Sequence, residues 1–98
     1  MARIEEELES ELVLAEPAKY KVLLHNDDYS TMDFVVDILM HVFRKNIDQA
    51  EEIMIAIHEL GKAVCGIYTF EIAQTKVYQV KELAKSNGFP LLATMEEV

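Results

Sequence analysis

Ninety-eight residues with a single cysteine, Cys65, make one small domain and exclude a two-domain cleft, a β/α barrel, an internal disulfide and a four-cysteine zinc site. Eighteen acidic against nine basic residues give a formal charge of −9, the wrong sign for a surface that neutralises phosphates, so nucleic acid and anionic membrane are disfavoured as partners. No apolar run approaches the roughly 18 to 20 residues that span a bilayer, and the start, Met1 to Glu7, is acidic where a signal peptide is basic, so a reducing cytoplasm is the expected compartment.

Residues 1–16 hold six of the eighteen acidic residues and one of the nine basic ones, which marks residues 1–17 as an acidic extension and 18–98 as the folded domain. Leu8, Leu12, Val13 and Leu14 are its clustered apolar residues, too few to offset ordering entropy without a partner. It reads either as a solubilising tail or as a docking or delivery segment.

Tyr20 to His25 has the character of a strand that stops at the turn-forming cluster Asn26-Asp27-Asp28. A helix follows, opened by a box from Ser30 to Asp33 and carrying a stripe of Val35, Ile38, Leu39, Val42 and Phe43. Asn46 is expected to end it, and Asp48 to Glu51 to open a second helix whose stripe is Ala50, Ile53, Met54 and Ile57 and whose left-handed C-cap is Gly61. Lys62 to Thr69 is an apolar run with Gly66 inside, a strand with a bulge or a close backbone approach. Ala73, Val77, Val80 and Ala84, with Ile72 and Leu83 beside them, form a third helix capped at Asn87-Gly88, and Leu91 to Met95 is a last strand. The order β-α-α-β-α-β predicts a two-layer α+β domain, a three-stranded sheet with three helices on one face.

The polar cluster His25-Asn26-Asp27-Asp28 is either a plain Asx turn or a functional rim at a strand end. His58, one turn from Met54 and beside Ile57, reads as a boundary residue unless it faces that turn. If it does, an amide oxygen, a carboxylate and an imidazole nitrogen surround one point, acceptors for an ammonium group beside an apolar hole. A metal-dependent hydrolase would draft His25, Asp27, Asp28, His41 and His58, but no pair has a helical ligand spacing, so no metal is expected. Cys65 lies in an apolar strand, where a thiol is structural, and with three glycines in the chain no phosphate loop is present. No cofactor is expected.

The stretch Tyr20 to Val35, with its Asn-Asp-Asp-Tyr turn, the segment Ala56 to Gly66, with His-x-x-Gly-Lys-Ala, and the ending Pro90-Leu91-Leu92-Ala93-Thr94 closely resemble the ClpS family of bacterial adaptor proteins. The resemblance implies a fold like the C-terminal domain of the ribosomal stalk protein. It also implies a non-enzymatic adaptor that binds proteins with an N-terminal Leu, Phe, Tyr or Trp and hands them to the AAA+ unfoldase ClpA for degradation by ClpP. By that resemblance Asn26, Asp27 and His58 hold the α-ammonium, and Leu24, Ser30, Val35, Met54, Ile57 and Leu91 line the side-chain pocket with Met32 as its gate. Glu71 and Lys76 match contacts with the ClpA N-terminal domain, and a monomer is expected. Thr31 stands where many relatives carry proline, and Ser30 and Ile57 where some carry Thr and Val. A structural protein–protein module of ribosomal-stalk type, indifferent to chain ends, is the alternative.

Overall fold

A computed structural model describes residues 17–98, so the acidic extension expected before Pro17 lies outside the described residues. Six elements follow in the expected order: β1 (Lys19–His25), α1 (Met32–His41), α2 (Ile47–Leu60), β2 (Lys62–Thr69), α3 (Phe70–Asn87) and β3 (Leu92–Glu97). The three strands form one antiparallel sheet in the order β2-β1-β3. β1 is central because its alternation sends Val22 and Leu24, both fully buried, into the helix layer. There they meet Val35, Ile38 and Leu39 of α1, Ala50 and Ile57 of α2, and Ala73, Val80 and Ala84 of α3. Lys19, Lys21, Leu23 and His25 point to the opposite face of the sheet by the same alternation.

Both readings of Gly66 hold. Val22 pairs with Gly66 while Leu23 pairs with Val64, so Cys65 is the extra residue of a β-bulge. A side chain at Gly66 would run into the Tyr68 ring, which packs directly over it. The bulge turns Cys65 into the core, where burial pushes its thiol up to about 12. Iodoacetamide at neutral pH is therefore expected to leave Cys65 unmodified in the native protein and to alkylate it once denaturant is added, a difference mass spectrometry reads directly.

The helix caps differ from their expected places, by one residue at α1 and by two at α2, for local reasons. At α1 the N-cap is Thr31, not Ser30: its hydroxyl accepts the Phe34 N–H at 3.1 Å, because the Ser30 N–H is already donated to Asp27 Oδ1 at 2.6 Å within the preceding turn. Asn46 does not end the first helix but opens the second, in a capping box with Gln49 (2.8 and 3.1 Å), so α2 starts at Ile47. The first helix ends earlier, at His41, and Val42 and Phe43 stay buried while the chain reverses through Arg44 at φ 57°. Gly61 and Gly88 take the left-handed conformation expected of C-caps, at φ 89° and 73°. β3 starts at Leu92, and the buried Leu91 precedes it. Ile72 and Leu83 of α3 are half exposed and contribute to the surface rather than to the stripe.

Candidate functional site

The site forms where β1 ends and α2 ends. Gly61 closes α2 in the left-handed conformation, which aims its carbonyl at the chain leaving β1, and the Asn26 N–H donates to it at 2.8 Å. This bond ties the Asn26-Asp27-Asp28 turn to the last turn of α2, which carries His58. The carboxylate of Asp27 builds the turn itself: Oδ1 accepts the backbone N–H groups of Tyr29 at 2.8 Å and Ser30 at 2.6 Å. Burial alone would raise the Asp27 carboxyl, but hydrogen bonds led by those from the Ser30 and Tyr29 N–H groups outweigh it and hold it below the ordinary aspartate range. Asp27 Oδ2 and Ser30 Oγ are both buried and have no hydrogen-bond partner in the protein. An ionised oxygen left that way is costly unless something external donates to it.

Behind this rim lies a pocket of about 260 Å³ lined by Asn26, Asp27, Asp28, Ser30, Met32, Val35, Met54, Ile57 and His58. It is smaller than the roughly 300 to 1,000 Å³ that drug-sized ligands occupy, the size for one amino-acid side chain and its attachment. Met32, the first residue of α1, stands at the pocket more than half exposed, while Val35 and Ile57 are rooted in the core. Met54 and His58, one turn apart on α2, supply the apolar wall and the imidazole from the same helix face. Leu24 and Leu91, assigned to the pocket by resemblance, are instead packed in the core with Val35 and Ile57 and do not line it. Asp28, given no ammonium-binding role above, does line it; its place in the Asn-Asp-Asp turn was the available signal.

Of the five residues of the metal reading, Asp27, Asp28 and His58 line the pocket while His25 and His41 lie apart from it. His25 points to the opposite sheet face, its Nε2 2.6 Å from Thr94 Oγ1 across the β1–β3 ladder, and His41 closes α1. Among the described residues no three His, Cys, Asp or Glu side chains converge as a metal site would require.

Glu71 and Lys76 both lie on α3, but in different states. Glu71 is exposed, whereas Lys76 is half buried, its ammonium donating to the Val42 carbonyl at 2.7 Å and lying 5.7 Å from the centre of the Tyr68 ring. It thereby satisfies a carbonyl that α1 leaves free at its C-terminus, a role with no signal in the sequence. Lys76→Ala is expected to cost about 1 kcal/mol, a charged hydrogen bond discounted for solvent, and Glu71→Ala close to nothing. Thermal denaturation of the two variants side by side reads the difference as a fall in Tm of roughly 4 to 8 °C for the lysine variant only.

Fold and site together define a class: a small α+β binding module in which one turn and one helix end present acceptors over an apolar pocket. The model of the family "ATP-dependent Clp protease adaptor protein ClpS" matches residues 15–94. The chain is 54% identical over 93 residues to the ATP-dependent Clp protease adapter protein ClpS of Wolinella succinogenes, covering 95% of this chain and 91% of that one. It is 56% identical over 94 residues to the ClpS of Shewanella piezotolerans, covering 96% and 90%. Among solved structures, Agrobacterium tumefaciens ClpS2 bound to L-phenylalaninamide superposes with a TM-score of 0.82 at 40% identity, over 85% of this chain and all of that one. The chain belongs to the ClpS family of ATP-dependent Clp protease adaptor proteins. No helix among the described residues is long and apolar enough to cross a membrane.

Proposed function

We propose that this adaptor binds proteins whose N-terminal residue is Leu, Phe, Tyr or Trp and delivers them to the AAA+ unfoldase ClpA for degradation by ClpP. It performs no catalysis itself and needs no cofactor. The observation that carries the reading is the meeting of Asn26, Asp27 and His58 at one pocket, with the buried Asp27 Oδ2 lacking a donor. An α-ammonium supplies that donor. It carries three N–H groups and a charge, enough for the Asn26 amide oxygen, the Asp27 carboxylate and a neutral His58 imidazole at once. A blocked or internal residue offers a single uncharged N–H and leaves acceptors unpaired, at about 1 to 3 kcal/mol each. The side chain of residue one then enters between Met32, Val35, Met54 and Ile57, adding roughly 1.5 to 3 kcal/mol for a Leu or Phe. A β-branched Val or Ile places a methyl against the rim, where the ammonium bonds leave no room to turn. L-phenylalaninamide, the molecule bound by the Agrobacterium relative, combines a free α-amino group with a bulky apolar side chain, the same two features. Docking on the ClpA N-terminal domain falls to the α3 surface of Glu71 and Lys76, and the adaptor works as a cytoplasmic monomer.

Fluorescence anisotropy with four labelled peptides tests the reading: free Leu, N-acetyl-Leu, free Val and N-acetyl-Val at position one. Micromolar binding, about −8 kcal/mol, is expected of the free Leu peptide alone. Equal binding of the acetylated copy would reject chain-end recognition and favour a protein–protein module of the stalk type.

A further inference from the structure

The sheet has a second face that no helix among the described residues covers. At its middle, Leu23 is 4% exposed, and around it Val64, Ile67 and Leu92 are 42, 55 and 54% exposed. These side chains form an apolar patch at the middle of the sheet face. The charge around it is reversed as well. Lys19, Lys21 and Lys62 point to this face, three of the eight basic residues after Pro17, against Glu96 alone of the twelve acidic ones, and Glu96 is already paired with Lys21 at 3.5 Å. The rest of the folded domain carries eleven acidic against five basic residues, so this face is the more favourable one for an acidic segment.

One such segment is attached to the same place. Residues 1–16 carry six carboxylates and one arginine together with Leu8, Leu12, Val13 and Leu14, and Pro17 joins them to Lys19, the first residue of β1 and itself on this face. A chain that reverses at Pro17 can return Leu12 and Leu8 to the level of the patch, since a strand advances about 3.4 Å per residue, Leu23 lies six residues beyond Pro17, and Leu12 and Leu8 lie five and nine residues before it. Tethering makes the encounter intramolecular, so even weak contacts suffice.

We propose that the acidic N-terminal segment docks reversibly on the open sheet face, its leucines on Leu23, Val64, Ile67 and Leu92 and its carboxylates toward Lys19 and Lys62. Docking shields the patch in the resting adaptor and keeps the segment away from the ligand rim, which opens on the helical side of the sheet. The contact is held by exposed charges, so it yields readily to salt or to a competing partner.

Paramagnetic broadening in the full chain tests this. Ser10→Cys takes a nitroxide, and Cys65 is buried and stays unlabelled. Amide signals of Val64, Ile67 and Leu92 are expected to lose most of their intensity, and those of Tyr78 and Leu83 on α3 to keep theirs. The loss should reverse in 1 M salt, where the Debye length is about 3 Å, and in a Lys19→Glu, Lys62→Glu variant carrying the same label and the same tether. Equal broadening of α3 and the sheet face, or a loss on the sheet face unchanged by the charge reversal, overturns the proposal. So does broadening that appears when the labelled chain is mixed with a separate isotope-labelled copy, since a second molecule is then the occupant.

Discussion

Asp27→Asn is expected to weaken binding of a free N-terminal Leu peptide by about 30- to 150-fold, the equivalent of losing about 2 to 3 kcal/mol from a charge-assisted bond, while the protein stays folded. The two outcomes separate because the two carboxylate oxygens have separate tasks. Oδ1 holds the turn through the Tyr29 and Ser30 N–H groups, and an asparagine oxygen can still accept them. Oδ2 is buried without a donor in a residue that lines the pocket, and an amide NH2 in its place presents hydrogens to the ligand's own hydrogens. Anisotropy titration gives the affinity, and a thermal melt shows that the fold is intact. Asp27→Ala removes both tasks and should lose stability as well as binding. The pH dependence follows from the depressed carboxyl of Asp27. A folded-state value below the unfolded one contributes stability that is complete above the ordinary aspartate value, about 3.9, and is lost as pH falls through the depressed value. The difference in Tm between wild type and Asp27→Asn is therefore expected to be constant from pH 7 to pH 5 and to shrink toward zero in stronger acid. A difference that grows on acidification would mean that the carboxylate is not stabilised by its turn.

Leu24→Ala is expected to destabilise the domain by about 2 to 5 kcal/mol, lowering Tm on the order of 10 °C or more. Leu24 is completely buried on the central strand, between α1, α2 and α3, so its removal leaves a cavity that three helices cannot all collapse to fill. By resemblance the residue belongs to the pocket wall; by its packing it belongs to the core beneath it. The two roles give different numbers. A wall residue would change peptide affinity by tenfold or more with little change in Tm, whereas a core residue changes Tm and leaves the affinity of the folded fraction within a few-fold. Chemical denaturation with and without a Leu peptide measures both in one sample, and an unchanged midpoint would return Leu24 to the wall.

Periodicity made the elements legible because it reports how each residue meets water. The stripe Val35, Ile38, Leu39, Val42, Phe43 and the alternation of β1 correspond closely to what is buried, and Gly61 and Gly88 were readable as left-handed caps because few other residues tolerate that conformation. The cap of α1 was misplaced by one residue and that of α2 by two. Thr31 and Asn46 hold those positions by accepting the Phe34 and Gln49 N–H groups, in place of Ser30 and Asp48, which are equally plausible caps in sequence.

The sequence by itself determined the size, the acidity, the order of elements, the family resemblance and the residue types of the proposed ammonium site, since composition and local spacing are properties of the chain. Tertiary structure alone decided which of these residues meet. His58 reaches Asn26 and Asp27 only because the left-handed turn at Gly61 aims a carbonyl at the Asn26 N–H, a bond between residues 35 apart in the chain. It also decided that Leu24 and Leu91 lie in the core, that Lys76 closes the end of α1, and that Leu23 shares an open face with three lysines. Burial and direction depend on what packs against a residue from elsewhere in the chain, and local sequence carries no record of that.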